Sequence, residues 1–152
     1  TPEELMPRII ATSRDNARTP MQWSSEENAG FTTGTPWIKV NPNYKKINAE
    51  LEMADPDSVF NYYKKLIALR KNHEIIVYGS FKGLLEDSEA IYAYERQLEG
   101  KRLLVACNFS SELVACDLFK EASKGEELIS NYKDHVEGAL QPYEARVILF
   151  EN

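Results

Sequence analysis

The feature that most constrains the fold is a change of pattern near residue 75. Before it, from Asp55 onward, apolar residues recur at helical spacing. After it, short runs of alternating apolar and polar residues follow one another to the end. A helical period followed by several strand-like runs predicts an α+β chain whose later part is all-β.

The helical part is predicted over residues 56–72. Asp55 suits an N-cap and Pro56 the first helical position, while Arg70 and Lys71 fall where the helix dipole is negative. The apolar positions that recur at helical spacing are Val59, Phe60, Tyr63, Leu66 and Ile67. A second amphipathic run, from Leu5 to Ile10, resembles a helix already under way at the start of the sequence.

Six strands are predicted after the helix, separated by turn signals such as Glu99-Gly100-Lys101 and Lys124-Gly125. The predicted strands cover residues 78–84, 90–97, 102–109, 113–118, 127–130 and 145–150. Short strands at this spacing are typical of a small antiparallel sandwich or barrel. We therefore expect residues 78–152 to form an all-β domain.

Length and composition narrow the possible functions. The 152 residues, 43% of them apolar, can bury a globular core but cannot form a complete enzyme barrel of roughly 250 residues. A net charge of −6 argues against nucleic acid as a partner. No apolar run is long enough to span a bilayer and no secretion signal is visible, so we expect no membrane partner.

The two cysteines, Cys107 and Cys116, lie in strand-like apolar runs. Buried free thiols are the favoured interpretation, and a disulfide or a metal site the alternative. Free thiols suit a reducing compartment, so we expect a cytoplasmic protein. His73 and His135 lack ligands at zinc spacing and no phosphate-binding loop is present, so we expect neither a metal nor a cofactor.

The residues from Thr12 to about Asn43 follow neither a helical nor a strand period, and a long irregular segment in a compact protein is usually functional or part of something larger. Its most specific stretches are SRDNARTPMQW (residues 13–23), NAGFT (28–32) and PWIKVNPNY (36–44). They resemble the loop after the last barrel strand in oligo-1,6-glucosidases of the α-amylase clan. The resemblance continues through Tyr62–Ile67 and Leu69–Lys71 and into Tyr78–Ser80, and so covers essentially the whole chain.

The resemblance implies a domain organisation. Residues 1–77 would be the C-terminal end of a (β/α)8 catalytic barrel, comprising its last loop and helix, and residues 78–152 an antiparallel β-sandwich, domain C. The chain would then be the C-terminal fragment of a larger enzyme. The first residue, Thr1, fits a cleavage product, with methionine removal as the ordinary alternative.

The same resemblance implies two substrate-binding residues, Arg14 and Arg18. A glucose pocket needs planar groups with several donors, acceptor oxygens and an aromatic wall, and the loop contains these types close together. Arg14 would hold hydroxyls of the terminal glucose; its structural alternative is an ion pair within the loop. Arg18 has the alternative of binding Asp15. Trp23 and Trp37 are expected to anchor the loop in a core.

Catalysis in the family resembles a retaining mechanism with paired carboxyl groups, and all of these lie upstream of this chain. The carboxylates near the loop, Asp15, Glu26 and Glu27, do not suggest such a pair. The chain alone is therefore expected to be inactive, although the parent enzyme would hydrolyse α-1,6 or related bonds in short oligosaccharides such as isomaltose. Trehalose-6-phosphate hydrolase and sucrose isomerase are alternative parents.

Two other functions stay open for the chain by itself. It could be a carbohydrate-binding module with Tyr92 and Tyr94 as an exposed aromatic platform, although a buried pair is the favoured interpretation. It could instead be purely structural, a domain that packs on the barrel through the helix. If the barrel is missing, the apolar stripe of that helix must be exposed, self-associated or repacked.

Overall fold

The computed structural model describes residues 1–151. The chain divides into two compact units, Thr1–Tyr63 and the part from Lys64 onward. The first unit consists of short helices and turns, and the second contains every strand found among the described residues. The predicted α+β class is confirmed.

Helix α1 spans Pro2–Thr12. The Thr1 hydroxyl accepts a hydrogen bond from the backbone of Glu4, whose side chain bonds back to the Thr1 amine, so the helix begins with a capping box. No residue of α1 is buried, so the apolar side chains predicted to lie on one face, from Leu5 to Ile10, are exposed.

After α1 the chain is irregular up to residue 48, and the segment predicted to be irregular, from Thr12 to about Asn43, lies within this region apart from its first residue. It holds only short 3-10 helices, at Arg14–Ala17, Glu27–Gly30 and Pro42–Lys45. Helix α2, Ala49–Ala54, follows and was not predicted from the sequence. Asn48 caps it: its side-chain oxygen accepts a hydrogen bond from the backbone of Leu51 over 3.0 Å.

Helix α3 spans Val59–Asn72 and therefore begins three residues later than predicted. The side chain of Asp55 accepts a hydrogen bond from the backbone of Asp57 within the preceding turn. Ser58 caps α3 instead, since its hydroxyl accepts a hydrogen bond from the backbone of Asn61 over 3.2 Å. No residue of α3 is buried.

The second unit contains a helical turn, α4 at Ile75–Tyr78, and seven strands. The strands are β1 Lys82–Leu84, β2 Ile91–Leu98, β3 Lys101–Asn108, β4 Val114–Ala115, β5 Glu126–Ser130, β6 Ala139–Leu140 and β7 Ala145–Phe150. Five of them form an antiparallel sheet in the order β1-β2-β3-β7-β5, and β4 pairs with β6 in a second sheet.

The strand predictions are confirmed in the centre of the main sheet, but the prediction for its first strand is wrong. Residues 78–84 were predicted as one strand, but the chain forms α4 first and pairs only at Lys82–Leu84. The predicted strand 113–118 shortens to Val114–Ala115 and ends in a 3-10 turn, Asp117–Phe119. Strand β6 was missed because two residues carry no detectable period.

Each face of the main sheet has its own core. One core contains Ile91, Ala93, Ala106, Cys116 and Leu140, with the short sheet of β4 and β6 packed on it. The other contains Ile75, Leu103, Val105 and Leu149, so that α4 covers part of this face. The predicted two-layer domain therefore exists, with a partly covered second face.

Arg96 on β2 fastens α4 to the sheet. Its guanidinium donates hydrogen bonds to the backbone carbonyls of Ile76 and Gly79, the latter over 2.8 Å. Gly79 is buried here, and a Cβ at this position would lie 2.5 Å from the carbonyl oxygen of Ile75. The close approach requires glycine at this position.

Among residues 1–151 no helix combines the length and the apolar character needed to cross a bilayer.

Candidate functional site

The candidate site is the 3-10 turn Arg14–Ala17, which follows α1 directly. The Ser13 hydroxyl caps it by accepting a hydrogen bond from the backbone of Asp15 over 3.2 Å. The side-chain amide of Asn16 donates to the backbone carbonyl of Ile10, 2.7 Å away. These two bonds attach the turn to the end of the helix and so determine where its arginines emerge.

Arg14 is exposed on this turn. Within residues 1–151 its guanidinium has neither a hydrogen-bond nor an ion-pair partner. The structural alternative considered for Arg14, an ion pair within the loop, is therefore not formed here. All five N–H donors of a guanidinium are available to a ligand.

Arg18 lies at the end of the same turn and is held in place on two sides. Its Nη2 donates to Oδ1 of Asp15, and its guanidinium carbon lies 5.6 Å from the centroid of the Trp37 ring. Both members of the ion pair remain about half exposed, at 55% for Arg18 and 54% for Asp15. The pair engages one nitrogen, so the other guanidinium donors still face solvent.

The two tryptophans of the loop are more exposed than expected. The exposed fraction is 54% for Trp23 and 81% for Trp37, so neither is a buried anchor within this chain. The backbone next to Trp23 is nevertheless well held: the carbonyls of Gln22 and Trp23 accept from the first residues of α2, over 2.9 and 3.0 Å. This segment therefore positions the loop through its backbone, and its indole rings remain accessible.

Residues 28–30 form a left-handed turn that shapes the far side of the loop. The φ angles of Asn28, Ala29 and Gly30 are +53°, +59° and +67°, in a region that L-residues seldom visit consecutively. The buried Ala29 carbonyl accepts hydrogen bonds from the backbones of Trp23 and Ser24, over 2.9 and 3.1 Å. The turn is therefore structural.

The carboxylates of the loop are not arranged for acid and base chemistry. Asp15 is paired with Arg18, while Glu26 and Glu27 are exposed. A retaining glycosidase needs one carboxyl group protonated by burial beside a second, ionised one. The described loop offers hydrogen-bond donors and exposed rings. No group of three or more His, Cys, Asp or Glu side chains in residues 1–151 is arranged to hold a metal ion.

The second unit contains a polar cluster that sequence reasoning missed. His135 lies between two carboxylates, with Nδ1 2.6 Å from Glu144 and Nε2 3.0 Å from Glu127. Arg146 donates to the same Glu127 oxygen over 2.6 Å, and Glu144 is buried. These residues lie within 20 positions of one another but at separations of eight, nine and two, which follow no motif, so no spacing signal could have identified them. Because every member has a partner within the cluster, its role is structural.

The two cysteines are free, as expected, with Cys116 buried and Cys107 partly so. Burial raises the pKa of both thiols. Thiols of this kind are poor nucleophiles at neutral pH, so neither is a candidate catalytic group.

A cavity of about 690 Å³ lies elsewhere in the second unit, beside the turn that joins β2 and β3. Four of its charged lining groups form two ion pairs, Lys101 with Glu151 and Lys124 with Glu121, each over 2.5 Å. A ligand would have to break these pairs, so this cavity is a weaker candidate than the Arg14 turn.

Comparison with known proteins gives two family matches. Residues 1–79 match the model of the α-amylase catalytic domain, and residues 91–150 match that of the β-galactosidase C-terminal domain. Among curated proteins, the chain is 52% identical to an oligo-1,6-glucosidase of Parageobacillus thermoglucosidasius over 96% of its length. It is 48% identical to one of Halalkalibacterium halodurans over 99%.

The chain also matches solved structures of related enzymes. The chain matches the crystal structure of trehalose-6-phosphate hydrolase from Bacillus licheniformis with a TM-score of 0.89 and 43% identity over 98% of its length. It matches isomaltulose synthase from Klebsiella sp. LX3 with a TM-score of 0.80 and 41% identity over 90%. The chain spans only 26–28% of the length of these four relatives.

Proposed function

Because the chain belongs to the α-amylase family, we propose that it forms the last loop and helix of the catalytic barrel and the C-terminal domain of a retaining α-glucosidase. The whole enzyme would hydrolyse α-1,6 or related glucosidic bonds in short oligosaccharides such as isomaltose. The observation that carries the proposal is the Arg14 turn, where an unpaired guanidinium emerges from a rigidly attached loop. The two curated relatives, both named oligo-1,6-glucosidase, support this substrate class.

Arg14 and Arg18 have different parts in this proposal. Arg14 donates to hydroxyls of the terminal glucose, since its donors are free. Arg18 binds substrate through the N–H groups that Asp15 leaves unused, while its ion pair and its contact with Trp37 keep the turn in shape. The acceptors and the catalytic carboxyl groups come from the part of the enzyme outside this chain.

A chimeric enzyme tests the proposal. This chain would replace the matching 27% of the Parageobacillus oligo-1,6-glucosidase, and glucose release from isomaltose would be measured. We expect an active chimera. Replacing Arg14 by Gln removes a charged hydrogen bond of about 1.5–3 kcal/mol, so kcat/KM should fall roughly 10- to 150-fold with little change in Tm.

Arg8→Gln is the matched control, because Arg8 is an exposed arginine of the neighbouring helix α1 and has no place in the proposed site. It should leave kcat/KM unchanged. If Arg14→Gln and Arg8→Gln behave alike in an active chimera, Arg14 does not bind the substrate.

The chain by itself should not release glucose from isomaltose or from a nitrophenyl glucoside above a buffer blank. Neither Glu26 nor Glu27 is buried, and Asp15 is held by Arg18, so these carboxylates are not suited to replace a retaining pair. Turnover by the purified chain would contradict the proposal.

Trehalose-6-phosphate hydrolase is the second candidate for the parent enzyme, because a structure of that name shares 43% identity with this chain. Sucrose isomerase is a third, supported by the isomaltulose synthase match. Parallel assays of the chimera with a phosphorylated disaccharide and with sucrose would compare the contribution of this chain to each substrate.

We further propose that the boundary between barrel and C-terminal domain lies between residues 77 and 78. The match to the catalytic domain ends at residue 79, in support of this position, although the compact units divide earlier, after Tyr63. A cytoplasmic location is proposed on the basis of the two free thiols.

A further inference from the structure

We propose that the cavity beside the turn between β2 and β3 binds a neutral oligosaccharide, which gives the second unit a sugar-binding site of its own. This cavity, which we call the hairpin pocket, is lined by the residue row Gln97-Arg102-Phe150 and by the side chains around that row. The inference goes beyond the proposed function, because the pocket binds its ligand without cleaving it. Only the choice of short glucose oligosaccharides as ligands rests on the proposed function.

The strand register brings three chemically different side chains together. Gln97 on β2 lies opposite Arg102 on β3, and Arg102 lies opposite Phe150 on β7. Residues that lie opposite one another on neighbouring strands point to the same side of the sheet. An amide, a guanidinium and an aromatic ring therefore line one wall of the hairpin pocket, and these are the groups that a sugar site needs.

This wall is on the other side of the sheet from the tyrosines that the sequence suggested as a sugar platform. Side chains alternate along a strand, so Gln97 points to the same side as Ala93, whereas Tyr92 and Tyr94 point to the opposite side. The carbohydrate-binding alternative for the chain is thereby moved to the hairpin pocket.

Arg102 presents its donors in a fixed orientation. Its guanidinium carbon lies 4.1 Å from the centroid of the Phe150 ring. Stacking of this kind engages the face of the guanidinium and leaves the N–H groups at its edge available to another partner. Its ion pair with Glu95 spans 3.9 Å, too long for a hydrogen bond, and within residues 1–151 the guanidinium donates no hydrogen bond. A ligand can therefore accept from several of these groups.

The backbone defines the pocket on two sides. Glu99 and Gly100, which form the turn between β2 and β3, have φ angles of +49° and +82°, the conformation that suits a tight two-residue hairpin. On the other side, the 3-10 turn Ala122–Lys124 leads into Gly125, where a Cβ would lie 2.9 Å from Cδ1 of Phe150. The pocket is therefore formed before any ligand binds.

The charges of the described lining residues favour a neutral ligand. They comprise three cations and three carboxylates, namely Lys101, Arg102 and Lys124 with Glu99, Glu121 and Glu151. An ionic ligand would be repelled by half of these groups. A hydroxyl group can accept from the cations and donate to the carboxylates, so a polyhydroxylated neutral molecule matches the whole lining.

The two ion pairs of the lining are a small obstacle to such a ligand. The side chains of the pairs Lys101–Glu151 and Lys124–Glu121 are 50–71% exposed, and ion pairs in contact with solvent contribute little to stability. Sugar hydroxyls also restore part of the hydrogen bonding that the separated ions lose. The volume of about 690 Å³ is within the range of roughly 300–1,000 Å³ that small-molecule sites occupy.

The test is a titration of the isolated, ¹⁵N-labelled chain with isomaltotriose, followed by amide NMR. The signals of the Gly100 backbone and of the Gln97 side-chain amide should shift and saturate in the millimolar range. Salt weakens exposed ion pairs, so the affinity for this neutral sugar should stay the same or rise when sodium chloride is added. Inorganic phosphate, used as the ionic probe, should not displace the sugar.

Two variants and a control assign the binding to the hairpin pocket. Arg102→Gln should weaken it at least about tenfold, because a hydrogen bond to a charged group is lost. Gln97→Ala changes an exposed side chain and should also weaken it, so this variant decides the matter if Arg102→Gln does not fold. Arg8→Gln, at an exposed arginine of the first unit, should leave the affinity unchanged.

Four results would overturn the proposal: no saturable shift, shifts confined to the Arg14 turn, displacement of the sugar by phosphate, or folded pocket variants that bind as well as the unchanged chain. Failure of the proposed function gives a different result. An inactive chimera together with binding of isomaltotriose by the chain would count against the proposed function and support the hairpin pocket. An active chimera with a chain that does not bind the sugar would do the reverse.

Discussion

Among single residues, the left-handed turn at Asn28, Ala29 and Gly30 has the least freedom to vary. An L-residue in this conformation costs roughly 1–2 kcal/mol, so glycine is favoured where nothing offsets the cost. At Ala29 this strain is offset because the methyl group is fully buried and the carbonyl accepts hydrogen bonds from two backbone amides. Gly30 has a further constraint, since a Cβ there would lie 2.7 Å from the hydroxyl oxygen of Ser24.

Gly30→Ala should therefore destabilise the chain more than Gly100→Ala. Both glycines have positive φ, +67° and +82°, but a Cβ at Gly100 meets nothing within 4 Å. We expect a loss of about 1 kcal/mol for Gly100→Ala and about 2 kcal/mol for Gly30→Ala, measured by urea denaturation. The double substitution Gly30→Ala with Ser24→Ala should lose no more unfolding free energy than Gly100→Ala does. Equal losses for the two glycines would show that Ser24 moves away without cost.

The cysteines give a pH-dependent prediction. Burial raises the pKa of Cys107 and Cys116 in the folded chain above the unfolded value of about 8.5. A raised thiol pKa means that the folded state holds its proton more tightly. The contribution to stability is therefore complete below about pH 8.5 and is lost as the pH rises through the folded pKa.

Reaction with an aromatic disulfide reagent measures this directly. At pH 8 both thiols should react much more slowly in the folded chain than in denaturant, because the thiolate is the reactive species. Rapid reaction of both thiols without denaturant would contradict the burial of Cys116.

At the scale of secondary-structure elements, the start of α3 shows how a cap overrides a plausible pattern. Asp55-Pro56 has the composition of a helix start, yet the helix begins at Val59. The Ser58 hydroxyl both accepts from the backbone of Asn61 and donates to the carbonyl of Glu52 over 2.5 Å, so it joins the end of α2 to the start of α3. Asp55 has no such double contact.

Ser58→Ala should lower the free energy of unfolding by about 1–2 kcal/mol, because the helix cap and the hydrogen bond to a partly buried carbonyl are lost together. Ser25→Ala, at an exposed loop serine, is the control and should change the free energy of unfolding by less than about 0.5 kcal/mol. Thermal or urea unfolding followed by circular dichroism measures both. A neutral Ser58→Ala would mean that Asp55 can take over the cap.

For the whole molecule, the main consequence is exposed apolar surface. The stripe of α3 predicted to pack on a barrel is open: Val59 is 77%, Tyr63 64% and Ile67 47% exposed. Without the barrel, this stripe was expected to be exposed, self-associated or repacked. In the structure of the single chain it is exposed.

We therefore expect the isolated chain to self-associate in a concentration-dependent way. Sedimentation equilibrium should give an average mass above the monomer mass of 17.4 kDa at high concentration, falling towards it on dilution. Ile67→Glu should weaken the association, whereas Lys64→Glu, a charge change on the same helix, should have a smaller effect. A chain that stays monomeric at all concentrations would contradict this prediction.

Local sequence patterns determined the elements that depend on residues close to them in sequence. The period-2 run of β3, its long partner β2 and most of α3 could be predicted because a single face of each element carries a continuous apolar pattern. The family resemblance likewise needs only the sequence, because the loop around Arg14 has a specific order of residues. Very short elements such as β6 were missed, since two residues cannot express a period.

The tertiary structure alone decided how these patterns are combined. It placed α4 over one end of the sheet and left Tyr92 open, although the sequence favoured a buried Tyr92 and Tyr94 pair. It also brought His135, Glu127 and Glu144 into one cluster and left Arg14 unpaired while Asp15 was taken by Arg18. Burial and pairing depend on how the folded backbone directs each side chain, even between residues as close as Asp15 and Arg18. A local pattern can therefore suggest a side chain's chemistry but cannot determine what that side chain contacts.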